Sequence, residues 1–236
     1  MRGVYFSDYH TNNDWGLILN SKQLDPPTPK VVKVSVDGRD GDLDLSEALT
    51  GEIRYENRIA NFTFLVTEGS QGDREYMLNT IINAIHGKTH KIILPDDLEH
   101  YLIGRCSVSG VTNDKAYGSF SVSADCEPYR YSIYEVKRTI ELTDTPVEIA
   151  LNNSGRKTII PTLVVANTAN ITFGSTSLSL GVGTYQIPAL KLTSGVNTVL
   201  VSGVGSLALS YREAVLKCLR FSRITSLFMI VPLRIT

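Results

Sequence analysis

Hydrophobic and polar residues alternate along most of the chain, which is the pattern of β-strands with one buried face. The clearest case is the stretch from residue 37 to residue 66, whose second half is predicted to be a strand. Its hydrophobic positions are Ile53, Tyr55, Ile59, Phe62 and Phe64. Further strand patterns in this half of the chain cover residues 15–19, 31–36, 91–94, 101–111 and 119–124. These patterns predict a mainly β fold.

One segment has helical periodicity. Hydrophobic residues between residues 74 and 86 recur at i, i+3, i+4 and i+7, which places them on one face of a helix. They are Leu78, Ile81, Ile82 and Ile85. We predict that this amphipathic helix packs on a sheet, with Asp73 as its N-cap and Gly87 as a left-handed residue at its end.

The pattern changes near residue 139, where charged residues become rare and short β-branched runs recur. The runs cover residues 139–142, 147–151, 162–166, 170–173, 176–180, 184–187, 197–202 and 207–211. Regularly spaced short strands predict an antiparallel β-sandwich. Gly181 with Gly183, and Gly203 with Gly205, are predicted to form hairpin turns. We therefore predict a first domain over residues 1–138, a second over residues 139–216 and a separate tail over residues 217–236.

Composition excludes several functional classes. The chain has 236 residues, of which 42% are hydrophobic and 20% are charged, so we expect a folded protein. Its 23 basic and 24 acidic residues nearly balance, which does not favour sequence-specific nucleic-acid binding or membrane binding. Residues 1–138 are acidic, with 15 basic and 20 acidic side chains, whereas residues 217–236 are basic and hydrophobic. The N-terminus lacks the hydrophobic core of a secretory signal, so we expect synthesis in the cytoplasm.

Three aspartates at alternate positions resemble the start of a calcium-binding loop. They are Asp40, Asp42 and Asp44, and such a loop requires glycine at its sixth position and glutamate at its twelfth. Leu45 and Gly51 occupy those positions here. We therefore expect a turn stabilised by aspartate side chains, with an irregular calcium site as the open alternative.

Two further groups of polar residues resemble catalytic or metal sites. His86 and His90 have the spacing of a helical zinc pair, but Gly87 is predicted to end the helix between them. Asp96, Asp97, Glu99 and His100 follow a proline and are predicted to form a turn between strands. The sequence has no serine-nucleophile motif, and its three cysteines, Cys106, Cys126 and Cys218, lack zinc-ligand spacing. We predict a protein that is not an enzyme and holds no cofactor or metal.

Carbohydrate binding was considered for the second domain, because many β-sandwiches bind sugars on exposed aromatic rings. Between residues 139 and 216 the aromatic residues are only Phe173, Tyr185 and Tyr211. The alternative is that these three rings fill the hydrophobic core.

The stretch 37–66 resembles the N-terminal signature of the distal tail proteins (Dit) of long-tailed bacteriophages. The residues that carry this resemblance are Gly38, Arg39, Asp40, Gly41, Leu43, Asp44, Leu45, Tyr55, Asn57 and Arg58. Weaker matches continue in the second half at Asn153, Gly155, Pro161, Leu192, Gly195, Asn197, Gly203 and Tyr211. The resemblance covers residues 1–216, and the tail 217–236 departs from the family pattern.

The resemblance implies a structural protein of the phage or prophage virion, located at the tip of a non-contractile siphophage tail. Family members form a hexameric ring, single or as two rings stacked back to back, between the tail tube protein and the tail-tip or baseplate protein. The first domain makes the ring, DNA passes through its lumen, and a galectin-like or carbohydrate-module-like β-sandwich projects outward. The alternative function is a carbohydrate-binding module of a host-adhesion device.

Overall fold

The computed structural model describes residues 3–216, so the predicted tail 217–236 lies outside the described residues. Within that part, the chain forms one helix and two large antiparallel sheets. The prediction of a mainly β protein with one helix is confirmed.

The first sheet has nine strands, seven of them in the order β2-β1-β7-β8-β9-β6-β3. They are β1 (Tyr5–Phe6), β2 (Tyr9–His10), β3 (Ile18–Leu24), β6 (Arg58–Val66), β7 (Thr89–Leu94), β8 (Asp97–Asn113), β9 (Gly118–Cys126), β10 (Arg130–Ser132) and β18 (Ala214–Val215). Two short strands, β4 (Lys33–Val34) and β5 (Leu43–Asp44), pair only with each other. The strand predicted at residues 15–19 begins only at Ile18, because residues 11–15 form a turn. Trp15 in this turn stacks on Tyr9 of β2, with ring centroids 5.0 Å apart.

Strand β6 lies inside the first sheet and buries every second residue. The buried positions are Arg58, Ala60, Phe62, Phe64 and Val66. Ile59 is 45% exposed, so its predicted place among the inward-facing residues was wrong. Strand side chains alternate with a period of two, and Ile59 falls on the opposite face from Phe62. Phe64 faces Phe120 on β9 with ring centroids 5.4 Å apart, and burial of each phenylalanine contributes about 2 kcal/mol.

Helix α1 (Gln71–Ile85) starts earlier than predicted, and its N-cap is Ser70 rather than Asp73. The Ser70 hydroxyl accepts from the Asp73 backbone N–H at 3.3 Å, and the Asp73 carboxylate accepts from the Ser70 N–H at 3.0 Å. This reciprocal capping box satisfies two backbone donors that the helix leaves free.

The helix packs its predicted face on the first sheet. Leu78, Ile81 and Ile85 are buried, while Ile82 is only partly buried. Arg74 is also buried on this helix. Its guanidinium group donates to the carbonyls of Gly69 and Asp114 at 2.7 Å each, and these hydrogen bonds offset the cost of burying the charge. Gly87 has φ +75°, which confirms the predicted left-handed residue after the helix.

The second sheet has seven strands around a separate hydrophobic core. They are β11 (Val136–Leu142), β12 (Val147–Asn153), β13 (Thr162–Val165), β14 (Thr168–Phe173), β15 (Thr176–Leu180), β16 (Gly183–Gln186) and β17 (Gly195–Tyr211). Its most deeply buried residues include Leu151, Leu163, Ala169, Leu192 and Leu207. The predicted set of short antiparallel strands is confirmed, with one exception.

The exception is β17, which is one strand where two had been predicted. Its first part pairs with β12 and β14, and its second part pairs with β11 and β13, so it bends from one face of the core to the other. Gly203 and Gly205 lie at this bend with φ +142° and +89°. A side chain at Gly203 would collide with the Thr168 carbonyl oxygen. The hairpin turn predicted at these glycines was wrong, because glycine inside a strand can also mark a bend.

The turn at Gly181 and Gly183 was also predicted as a hairpin, and this prediction was wrong. The segment joins β15 to β16, yet β15 pairs with β14 and β16 pairs with β13. The connection therefore crosses from one side of the second sheet to the other.

The two sheets meet where the chain leaves β10. The last described strand, β18, returns from the second sheet and pairs with β10. Gly155 lies against the backbone of Ala214, where a side chain would collide with the carbonyl oxygen. Lys157 donates to the Tyr131 hydroxyl at 2.8 Å, which gives a second contact between the sheets.

Candidate assembly surface

A long segment between β3 and β6 lies outside both hydrophobic cores. We call residues 25–57 the arm. Strands β3 and β6 pair directly with each other, so the arm leaves the first sheet and returns to it at the same edge. Every residue from 28 to 42 is exposed. The arm is therefore a projection rather than part of the sheet.

Backbone hydrogen bonds hold the two ends of the arm together. The Lys30 N–H donates to the Arg54 carbonyl and the Glu56 N–H to the Thr28 carbonyl, both at 2.8 Å. Residues 28–30 and 54–56 therefore run antiparallel and form a root that fixes the direction of the arm.

The outer part of the arm is a hairpin stabilised by Asp44. Its carboxylate accepts from the Ser46 N–H at 2.9 Å and from the Ser46 hydroxyl, whose oxygen accepts from the Val32 N–H at 2.9 Å. These hydrogen bonds from Ser46 lower the pKa of Asp44. This is the aspartate-stabilised turn that the sequence predicted, built by one of its three aspartates.

The residues that carry the family resemblance do not converge on one site. Gly38 and Gly41 lie at the exposed tip with φ +82° and +75°, as expected for glycines that turn the chain. Arg39 and Asp40 are exposed beside them, Leu43 and Asp44 form β5, and Leu45 follows the strand. Tyr55 lies in the root, Asn57 is exposed, and Arg58 is buried in β6. The signature thus covers the tip, hairpin and root of the arm and the first residue of β6.

The arm carries a row of uncovered hydrophobic side chains. Val31 and Val32 are each 53% exposed, and Leu49 is 98% exposed. Val34 and Val36 are also exposed. Only Lys33–Val34 of the strand predicted at residues 31–36 forms, because within residues 3–216 these strands of the arm pair only with each other. The valine pattern predicted a strand, and nothing in it indicated that both faces would meet solvent.

The two histidines considered for zinc contact different parts of the protein. His86 Nδ1 accepts from the Val108 N–H at 3.0 Å, at the end of the helix. His90 lies in β7, is buried, and has its Nδ1 3.2 Å from the Ser7 hydroxyl. Each histidine thus uses one ring nitrogen in a contact within the first sheet or at the helix end.

The structure does bring Asp97, Glu99 and His100 together, with potential metal-ligand atoms within 4.8 Å of one another. They lie in β8, so the turn predicted for them was wrong, and the turn itself is limited to residues 95–96. The Asp97 carboxylate contacts His100 Nδ1 with one oxygen and Arg130 with the other, at 2.8 Å each. The positive charge of Arg130 opposes binding of a cation here.

The three aromatic rings of the second sheet pack on its core. Tyr211 is buried and donates its hydroxyl proton to the Asn152 carbonyl at 2.6 Å. Phe173 and Tyr185 are partly buried against the same core. The three rings therefore belong to the hydrophobic core, as one of the two predictions had it, and not to an exposed surface for a sugar.

The sequence did not indicate the contact between the arm and the second sheet. The Thr158 hydroxyl donates to the Glu52 carboxylate at 2.7 Å, across 106 positions of sequence. Tyr55 packs edge-on against Tyr129, with ring centroids 6.0 Å apart. No pattern among neighbouring residues predicts a contact between two tyrosines so far apart in sequence.

A search of solved structures identifies a protein with the same fold. The crystal structure of the Dit protein of phage SPP1, described as a paradigm of the hub adsorption apparatus in phages that infect Gram-positive bacteria, matches with a TM-score of 0.66. The two sequences are 16% identical, and the match covers 92% of this chain and 100% of the other. The fold implied by the resemblance to distal tail proteins is therefore confirmed.

No protein-family model matches the sequence. No curated protein matches it either. None of the helical segments in residues 3–216 is both long enough and hydrophobic enough to span a membrane.

Proposed function

We propose that this chain is the structural hub at the distal end of a long non-contractile phage tail, where copies of it close into a ring. The proposal rests on the fold shared with the SPP1 Dit protein over 92% of the chain, together with the sequence signature in the arm. We expect six copies in each ring, as a single ring or as two rings stacked back to back.

The observation that carries the proposal is the exposed hydrophobic arm. Val31, Val32, Val34 and Val36 meet solvent in the isolated chain, although exposed hydrophobic surface of this kind usually marks a protein interface. The root fixes the direction of the arm, so its tip reaches away from its own hydrophobic core. A second copy of the chain is the proposed occupant of the arm surface.

An arm that contacts a neighbouring copy gives a head-to-tail interface, because the two surfaces in contact are different. Repetition of such an interface produces a closed ring when the rotation between copies divides a full turn evenly. Each ring contact should bury more than about 1,000 Å² if the assembly is permanent.

The ring would join the tail tube protein on one side and a tail-tip protein on the other, with DNA passing through its lumen. Residues 1–138 carry 15 basic and 20 acidic side chains. An acidic lumen repels the phosphate backbone and lets DNA pass without binding it. The proposed role is structural and has no catalytic step, and the proposed location is the tip of the virion tail.

Two double variants test this function. Val31→Ser with Val34→Ser removes two exposed valines of the arm. Val164→Ser with Val182→Ser removes one exposed valine of the second sheet and one of the β15–β16 connection. We expect native mass spectrometry to show hexamers or dodecamers for the wild type and the second-sheet variant, and monomers for the arm variant. Electron microscopy should show a six-fold ring with a central hole.

A wild-type protein that stays monomeric at micromolar concentration, both alone and with the tail tube protein, would contradict the proposal. A ring that survives the arm substitutions unchanged would show that the arm is not the ring contact. Circular dichroism of both double variants controls for loss of fold.

A further inference from the structure

A cleft of 580 Å³ lies between the root of the arm and the second sheet. The arm contributes Glu52 and Arg54, and the loops that connect strands of the second sheet contribute Arg156, Lys191 and Thr193. Tyr129, at the junction of the two sheets, also lines the cleft and is 9% exposed. The cleft therefore exists only when the arm and the second sheet are both in place.

The cleft has an excess of positive charge. Glu52 is its one acidic lining residue, and its carboxylate already contacts Arg54 at 3.0 Å and the Thr158 hydroxyl at 2.7 Å. Arg156 and Lys191 form no ion pair with residues 3–216. Two cationic side chains from the second sheet thus remain available to a ligand.

The cationic side chains share the cleft with the hydroxyl of Tyr129. Burial, followed by the negative charge of Glu52, raises the pKa of this hydroxyl, while the positive charges of Arg54 and Arg156 lower it. Within residues 3–216 the Tyr129 hydroxyl has no hydrogen-bond partner. This hydroxyl is therefore an available hydrogen-bond donor within a cleft that has an excess of positive charge.

We propose that this cleft binds a small anionic carbohydrate, whose phosphate or carboxylate group is held by Arg156, Lys191 and the Tyr129 hydroxyl. Guanidinium groups form paired, charge-assisted hydrogen bonds with both kinds of anion. Thr193 and Ser194 also line the cleft and are exposed, so their hydroxyl groups can form hydrogen bonds with a sugar. A sugar phosphate and a sugar acid share this chemistry.

A bound ligand would connect the arm to the second sheet. A ligand held by Arg156 and Lys191 would lie in the cleft beside Arg54, which belongs to the root of the arm. The site lies within one chain and does not depend on ring closure, which separates it from the proposed hub function.

Calorimetric titration of the full chain tests the site with three probes: glucose 6-phosphate, glucuronate and glucose. We expect saturable binding of one or both anionic probes, weakening as salt increases, and no binding of glucose. The two anionic probes distinguish a phosphate site from a carboxylate site. Arg156→Gln with Lys191→Gln should weaken the affinity by at least about tenfold.

The matched control is Lys115→Gln with Lys137→Gln, which removes the same charge from exposed positions outside the cleft. This control should keep the wild-type affinity, and Tyr129→Phe should reduce it without a change in net charge. Equal binding by the wild type and the Arg156/Lys191 variant would overturn the proposal, and so would no binding of either anion. Native mass spectrometry of the same samples reports ring assembly separately.

Discussion

Arg130 Nη1 lies 2.8 Å from Asp97 Oδ2, and the arginine side chain is only 2% exposed. The pair connects the start of β8 to β10, where the chain leaves the first sheet. The other Asp97 oxygen contacts His100, so the carboxylate holds two side chains in place. Because β18 also pairs with β10, this ion pair anchors the strand on which the two sheets meet.

Asp97→Asn should therefore destabilise the protein. The substitution leaves the Arg130 charge buried without its carboxylate, which costs about 3 to 5 kcal/mol in the free energy of unfolding. Urea denaturation measures this change. Glu135→Gln, which breaks the exposed contact between Lys137 and Glu135, is the control and should change stability by less than about 0.5 kcal/mol. Equal effects of the two substitutions would contradict the buried role of Asp97.

Valine substitutions at two glycines with positive φ should reduce the stability of the protein by different amounts. Gly203→Val places a side chain against the Thr168 carbonyl at the bend of β17, and should cost about 3 kcal/mol or more. Gly41→Val has open space around it at the tip of the arm, so its backbone strain of about 1 to 2 kcal/mol can be relieved locally. Thermal unfolding should show a large loss for Gly203→Val and a small one for Gly41→Val. A similar loss for both would show that the arm tip is part of the cooperative fold.

His90 should make the protein less stable in mild acid. Burial, followed by the charge of Lys88, lowers the pKa of His90 below its usual 6.5. As the pH falls below 6.5, the unfolded chain binds a proton that the folded chain does not, so the free energy of unfolding decreases until the pH reaches the folded-state pKa. Urea denaturation at about pH 7.5 and about pH 5.5 measures the loss. His90→Gln should show a smaller difference between the two pH values, and an unchanged difference would refute this role.

Cys106 and Cys126 should resist alkylation in the folded protein. Burial raises the pKa of both thiols to about 12, so the reactive thiolate is almost absent at neutral pH. Peptide mass spectrometry after iodoacetamide treatment should find both cysteines unlabelled in the native protein and labelled in urea. Rapid labelling of either cysteine without denaturant would show that the core of the first sheet opens easily.

Several features were predictable because their signals lie in neighbouring residues. The hydrophobic residues of α1 recur at helical spacing, and the strands of both sheets alternate with a period of two. The aspartate-stabilised turn at Asp44 needs only Ser46, two positions away. The predicted start of the helix was wrong because serine and aspartate are both common N-cap residues. Only the geometry shows that Ser70 is the N-cap and that Asp73 lies three residues later.

Other features depend on contacts between residues far apart in sequence. The valines of the arm form a regular strand pattern, and only the pairing of β3 with β6 shows that the arm is excluded from the sheet. Glycines at residues 203 and 205 suit a turn or a bend, and the close approach of Thr168 requires the bend.

The sequence by itself determined the β-rich class, the single helix and the family signature, since periodicity and short motifs act over a few residues. Only the tertiary structure placed the signature on an exposed arm, paired Asp97 with Arg130, and gathered Arg54, Arg156 and Lys191 around one cleft. Each of these outcomes joins segments tens of residues apart, and the free energy that joins them comes from burial and charge in the folded chain.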